Sequence, residues 1–411
     1  MGRLTIFTFA LLVGLSAAYT TNYHGYQVWR VENIQEWQVE RIRSVIDTLL
    51  LDVWASGDSW VDIMVKPEIM LSLGKTLARH GFEYKVFIGN LQSLIDSEFE
   101  TLKLKKESRA VDNTAYHDLA EIEAYMTEAA STNSWVTMES IGTTDEGRDL
   151  FVNILAVPGS GPKPSVWIDC GIHAREWISP ATCLYGIDYL TTGYSVDADV
   201  TALLDKYDVY IMPVHNPDGY SYTWTNDRMW RKNRVANSGS CRGVDLNRNF
   251  DDGHWGGIGS SNNECSETYH GPSGFSELES QAVRDYTTNL ISNNGLSIYY
   301  TIHSYSQVWM YAYGWTSDLT PENDQLEAAA RAGCDALTAV HGTSYAYGTI
   351  YHAIYPASGT SIDWGYSAGV VHTYTLELRD TGSWGFLLPA DQIIPTGEET
   401  WAGLIASIMS I

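Results

Sequence analysis

His173 and Glu176 stand three residues apart in Gly171-Ile-His-Ala-Arg-Glu-Trp177, directly after the apolar stretch Ser165-Val-Trp-Ile-Asp-Cys170. An imidazole nitrogen and a carboxylate oxygen are donors suited to Zn2+, and a catalytic zinc takes three protein ligands while keeping one position open. Spacing alone does not make a site, because His80-Gly-Phe-Glu83 has the same interval. There Met70, Leu73 and Leu77 follow helical spacing and Gly81 can cap a helix, so His80 reads as a helix-end residue. His173 instead follows what reads as a buried strand, and open α/β sheets bind ligands at the carboxyl ends of their strands. His303 closes a second such stretch, Leu296-Ser-Ile-Tyr-Tyr-Thr-Ile302, and supplies the third ligand that the pair requires. The remaining candidates compete less well. His215 precedes the turn residues Asn216-Pro-Asp-Gly219, and His254, His270, His341 and His352 fall in loops or helix ends where solvent exposure is expected.

Glu377 lies inside the apolar stretch Val370-Val-His-Thr-Tyr-Thr-Leu-Glu-Leu378, where an unpaired carboxylate is costly. Two readings account for it: a structural ion pair with Arg379 or another arginine, or a general base facing a water activated by the metal. A serine-hydrolase pattern, Gly365-Tyr-Ser-Ala-Gly369, fails on context. A nucleophile elbow needs a strand before it and a helix after it, and here the strand follows.

The elements that must position these groups fall into two domains. Residues 1–18 carry Arg3, an apolar run and Ser16-Ala17-Ala18, the pattern of a secretory signal peptide. Elsewhere no run approaches the roughly 18 apolar residues that span a bilayer, so a secreted, extracellular product is expected. The net charge of −25, from 25 basic and 50 acidic residues, argues against nucleic acid and against anionic membrane surfaces. Residues 19–109 read as βαββαβ, a small ferredoxin-like α+β domain, with strands at 26–31, 51–54, 61–65 and 83–88 and a helix opened by Pro67. It ends in Lys103-Leu-Lys-Lys106-Glu-Ser-Arg109, a basic cluster in an acidic chain and a suitable cut site for a trypsin-like protease. Residues 110–411 alternate strands near 152–157, 166–170, 209–214, 298–303 and 370–378 with helical runs such as 278–292 and 322–340, which predicts a mixed central sheet with helices on both faces. Five cysteines in a secreted chain suggest two disulfides and one thiol left over. Cys170 and Cys183 flank the His173 loop, Cys241 and Cys265 bracket a Gly/Asn/Ser-rich loop, and Cys334 in a helical run is the odd one.

Taken with Arg228-Met-Trp-Arg231, Gly243-Val-Asp-Leu-Asn-Arg-Asn249, Ile302-His-Ser-Tyr305, Tyr355-Pro-Ala-Ser-Gly-Thr-Ser-Ile362 and Glu377-Leu-Arg-Asp380, these segments resemble the zinc metallocarboxypeptidases of the digestive A/B type, in the family's order and over essentially the whole chain. The resemblance implies a zymogen: an activation domain removed by a trypsin-like protease, then a monomeric enzyme with one Zn2+ that trims peptides and proteins bearing a free C-terminal carboxylate. It implies His173, Glu176 and His303 as zinc ligands, with Asp245 fixing the tautomer of the first histidine. Arg231 would stabilise the oxyanion, and Glu377 would carry the proton from water to the leaving amine. Asn247, Arg248 and Tyr355 would clamp the terminal carboxylate, with Arg175 and Tyr305 in outer subsites. Ile362 stands where B-type enzymes carry an acid and A-type enzymes an aliphatic residue. The expected neighbours Met310, Gly314, Ile350, Ile354, Ala357 and Thr375 are neutral, which predicts A-type preference for hydrophobic C-terminal residues. Thr360 departs from the glycine frequent in A-type enzymes, and Cys170/Cys183 is a pairing more usual in B-type members.

Overall fold

The computed structural model describes residues 21–57, 59–105, 112–159, 161–293 and 295–411. The expected signal peptide and the basic cluster from Lys106 onward lie outside the described residues. The N-terminal sheet is built from β1 (Gln27–Glu32), β2 (Asp52–Gly57), β3 (Trp60–Val65) and β4 (Glu83–Ile88), ordered β2-β3-β1-β4 with every pairing antiparallel. The helices Val39–Leu49 and Met70–Arg79 complete the expected βαββαβ order. Alternation along the strands divides the sheet's residues between its two faces. Trp29, Val31 and Ile63 join Ile42, Val45, Leu73 and Leu77 in a core under the helices. Val28, Trp54 and Ala55 face the other way and form a second apolar cluster with Met229, Tyr305 and Phe386. The N-terminal unit is therefore seated on the larger one through the back of its sheet.

The second sheet comprises β5 (Val136–Thr143), β6 (Asp149–Leu155), β7 (Ser165–Cys170), β8 (Asp208–Met212), β9 (Leu296–Ser304), β10 (Val308–Tyr311), β11 (Ala346–Thr349) and β12 (His372–Leu378), in the order β11-β10-β12-β9-β7-β8-β6-β5. Its centre, β12-β9-β7-β8, is parallel, and antiparallel neighbours on both sides make it mixed. Every residue of β7 is buried, as expected of a strand covered on both faces. One face packs on the helices Leu119–Thr132, Ile178–Gly193, Ala198–Lys206, Asn323–His341 and Ile393–Met409, and the other on Leu278–Asn293 together with Phe250 and Trp364. Gly186 lets two of these helices close up: a Cβ there would lie 1.8 Å from the Trp401 ring. Cys170–Cys183 and Cys241–Cys265 form disulfides, and Cys334 is free and buried. Burial pushes its thiol up to about 12, which leaves it unreactive. Three strands have no counterpart in the sequence reading: β5, β10 and β11. Among the described residues no helix is long and apolar enough to cross a membrane.

Candidate metal centre

β7 and β9 are adjacent and parallel, so their carboxyl ends lie at the same sheet edge. Gly171, at φ +66°, turns the chain out of β7 into the segment carrying His173 and Glu176. His303 emerges next to it, and β12 places Glu377 opposite His303 in register. His173 Nδ1 lies 2.8 Å from Glu176 Oε1, His303 Nδ1 lies 3.2 Å from Glu176 Oε2, and the two Nδ1 atoms are 3.1 Å apart. All three side chains are buried, and their donor atoms lie within 4.8 Å of one another. Two imidazoles and a carboxylate converging in this way fit a zinc site.

The surrounding groups hold the donors in their metal-binding forms. Burial pushes the His173 imidazole down, with the Arg231 guanidinium adding to it, which favours the neutral ring. Burial alone would raise Glu176, but the His173 and His303 rings more than reverse it. The back nitrogen of His173, Nε2, lies 3.1 Å from Asp245 Oδ1, while Arg231 Nη2 donates to Asp245 Oδ2 at 2.9 Å. Burial opposes the Asp245 charge, yet Arg231 and His173 bring its pKa well below the usual carboxylate range. Arg231 and Asp245 thus form a buried pair behind the first histidine.

Glu377 is handled oppositely. Burial and the nearby Glu176 push its carboxyl well up, against partial relief from Arg231 and Arg248. Its Oε2 is buried without a hydrogen-bond partner among the described residues. The expected ion pair with Arg379 is not formed, because Arg379 donates Nε to Glu399 Oε1 at 2.7 Å instead. A carboxyl with one oxygen unpartnered, lining the cavity beside the metal triad, is chemically able to accept and return a proton. Arg248 lines the same cavity, with Nη1 and Nε tied to the carbonyls of Asn247 and Gly259 at 2.8 and 2.9 Å and Nη2 3.4 Å from the Tyr355 hydroxyl. Asn247 Oδ1 accepts from Ser361 N at 3.0 Å, which turns its amide nitrogen toward His303. Met310, Ile350, Ile354, Ala357, Thr360 and Thr375 line one end of the cavity. Ile362 and Gly314 stand behind that lining. Ile362 packs in one apolar cluster with Met310, Ile350 and Ala357, and Gly314 N donates to Asp363.

Ser304, Tyr305 and Ser306 add to the walls, together with Trp54, Ala55 and Ser56 of β2, which the sequence did not bring to the site. Arg175, expected in an outer subsite, is fully buried and makes a two-pronged contact with Asp52, Nη1 to Oδ2 at 2.7 Å and Nη2 to Oδ1 at 2.9 Å. The Tyr305 hydroxyl donates to Asp62 Oδ2 at 3.0 Å, and Arg228 binds Glu98 through Nε at 2.6 Å and Nη2 at 3.0 Å. Phe386 stacks under Arg175, 4.3 Å from ring centre to guanidinium. One histidine departs from expectation: His270, expected to be exposed, is buried with Nδ1 2.8 Å from Gly271 O. Its flanking Gly and Pro residues signal a turn but not that the turn is packed inside. His215, before the turn at Asn216, is buried beneath the site and is not part of the triad.

Residues 122–403 match the family model described as zinc carboxypeptidase, and residues 29–98 the carboxypeptidase activation peptide. Carboxypeptidase B of Bos taurus is 40% identical over 405 residues, covering 96% of this chain and 95% of the relative. Carboxypeptidase A1 of Homo sapiens is 40% identical over 395 residues, 93% of each. The crystal structure of carboxypeptidase A from Helicoverpa armigera superposes with a TM-score of 0.87 at 31% identity, covering 94% of this chain and 98% of that one. The chain belongs to the zinc carboxypeptidases of the A/B family and carries their activation peptide, making it a zinc-dependent peptidase zymogen. Its equal likeness to A-type and B-type relatives leaves the side-chain preference to the pocket.

Proposed function

We propose that the chain is a secreted zymogen whose segment 19–109 is cut away after Arg109 by a trypsin-like protease, freeing residues 110–411 as a monomeric carboxypeptidase selective for hydrophobic C-terminal residues. The observation that carries the reading is Glu377, one carboxyl oxygen unpartnered, lining one cavity with the His173/Glu176/His303 triad and Arg248. His173, Glu176 and His303 hold Zn2+, which when bound polarises the scissile carbonyl and acidifies water. Arg248, with Asn247 and Tyr355, receives the substrate's terminal carboxylate; a guanidinium recognises it through charge-assisted bonds, which restricts cleavage to chain ends. Glu377 takes a proton from the attacking water and returns it to the departing amine, a role suited to a carboxyl that burial and the neighbouring Glu176 push above the usual carboxylate range. Arg231, held by Asp245, faces the developing oxyanion and loses little freedom in doing so.

Support for the hydrophobic preference lies in the neutral lining backed by Ile362. Asp363 lies beside Gly314 behind this end of the cavity: both its oxygens accept from Gly314 N at 3.0 Å, and burial pushes its carboxyl up to about 7, which reduces the charge it would offer a cationic side chain. Arg175 and Tyr305 serve substrate residues further from the cut once Asp52 and Asp62 leave with the prosegment. The test is kcat/KM of the cut protein on peptides ending in Phe, Leu, Lys and Glu. Phe or Leu above Lys is expected; a Phe-to-Lys ratio below one overturns the hydrophobic assignment.

A further inference from the structure

Below the metal triad the sheet carries a polar row. Register places Asp169 of β7 beside Thr301 of β9, and Thr301 beside Thr375 of β12, two residues before His303 and Glu377 on the same strands. Residues two apart on a strand share a face, so Thr301 stands directly under His303. Asp169 and Thr301 are both fully buried. The Thr301 hydroxyl donates to Asp169 Oδ1 at 2.7 Å, and Trp167 Nε1 donates to Asp169 Oδ2 at 2.8 Å. His215, also fully buried, has Nδ1 3.6 Å from Asp169 Oδ1, and neither ring nitrogen has a hydrogen-bond partner among the described residues. Burial acts to raise Asp169, but His215 and the two donors hold its pKa below the usual value, so the row ends in a buried anion.

Two groups approach His303 Nε2: the Asn247 amide nitrogen at 3.4 Å and the Thr301 hydroxyl oxygen at 3.5 Å. They make opposite demands. An amide nitrogen only donates, and a bond from Asn247 would place the ring proton on Nδ1, the atom that faces Glu176 and His173. A threonine hydroxyl has a single proton, and here Asp169 holds it, which leaves the oxygen free to accept from Nε2–H.

We propose that Thr301 is a positioning residue for the metal: with its own proton committed to Asp169, its oxygen accepts the His303 Nε2 proton, fixes the tautomer that presents Nδ1 to the metal, and couples the buried Asp169 charge to that imidazole. Both histidines of the triad are then backed by a carboxylate, His173 directly through Asp245 and His303 through an intervening hydroxyl. The inference rests on His303 being a zinc ligand. Outer partners of metal-bound histidines typically contribute about 10–100-fold in metal affinity.

The test is equilibrium zinc affinity of the uncut full-length chain, measured by competition with a chromogenic chelator, for wild type, Thr301→Val, Thr301→Ser and Asp169→Asn. Valine keeps the branched shape and removes the hydroxyl; serine keeps the hydroxyl. Thr301→Val is expected to lose about tenfold or more in affinity, Asp169→Asn to weaken in the same direction, and Thr301→Ser to stay within about threefold of wild type. Thr301→Val also strips a donor from Asp169 and should melt lower than Thr301→Ser even without zinc. The metal effect is read instead as a smaller rise in melting temperature on adding zinc for Thr301→Val than for Thr301→Ser, which a packing loss common to both forms does not produce. Affinity within twofold of wild type in both Thr301→Val and Asp169→Asn overturns the proposal, as does equal loss in Thr301→Val and Thr301→Ser. A wild-type chain that binds no stoichiometric zinc overturns the ligand assignment instead. Should Thr301→Val fail to fold, Asp169→Asn against Thr301→Ser decides.

Discussion

Asp52→Asn in the uncut chain isolates the contact that ties the N-terminal unit to the site. Asp52 presents both carboxylate oxygens to Arg175, whose side chain is fully buried, while Asp52 keeps 11% of its own side chain exposed. Removing one member of a buried charge pair costs about 3–5 kcal/mol, much of it from stranding the other charge. The asparagine oxygen still accepts one guanidinium N–H and Asp52 is not wholly desolvated, so about 2–3 kcal/mol is the expected loss. At about 1.4 kcal/mol per tenfold, the balance between the covered and open site shifts by about 30–150-fold toward open. Residual activity of the uncut chain should rise by that factor, up to the ceiling set by the cut enzyme. The assay is release of the terminal residue from a Phe-ended peptide, with the Lys103, Lys105, Lys106 and Arg109 side chains replaced so that adventitious cutting cannot contribute. A rise of less than about threefold, by the same conversion, would refute the claim that this pair holds the site closed.

Glu377→Gln should retain zinc at wild-type stoichiometry and lose about 10²–10⁴-fold in kcat, the usual worth of a positioned acid–base group; near-normal kcat removes Glu377 from proton transfer. Ile362→Asp should invert the Phe-to-Lys ratio of kcat/KM, since an uncompensated buried charge costs several kcal/mol against about 1–3 kcal/mol for a methylene; an unchanged ratio places the selectivity elsewhere. Glu279 is buried, one oxygen lacks a partner, and burial pushes its carboxyl up to about 8 from 4.5. A folded pKa above the unfolded one means that the stabilising neutral form is fully present below pH 4.5 and is lost as pH rises through about 8. The melting temperature of Glu279→Gln minus that of wild type should therefore grow across this window, and a difference independent of pH contradicts the shift.

Continuous apolar strands were the legible part of the fold. β7, β9 and β12 are buried along most of their length, and runs such as Ser165–Cys170 announce that directly. β5, β10 and β11 gave no comparable signal. β5 is largely solvated along an edge, and β10 and β11 have only four residues each. The metal triad was legible because two strand ends carry it, and strand ends are visible in a hydropathy pattern. Asp52–Arg175 and Asp62–Tyr305 were not. Their partners lie 123 and 243 residues apart, and what joins them is the docking of one unit's sheet on the other, which no local pattern encodes. His270 misled for a related reason: the Gly271-Pro272 turn residues mark a change of direction whether the turn faces water or the core.

The most direct measurement follows a Phe-ended peptide by mass spectrometry with the cut, zinc-loaded protein, alongside the same peptide with an amidated C-terminus and the same reaction in excess chelator after metal exchange. Stepwise loss of single residues from the free C-terminus alone, abolished by chelator and restored by Zn2+, is the predicted result. Internal cleavage, equal processing of the amidated peptide, or full turnover in chelator would contradict it.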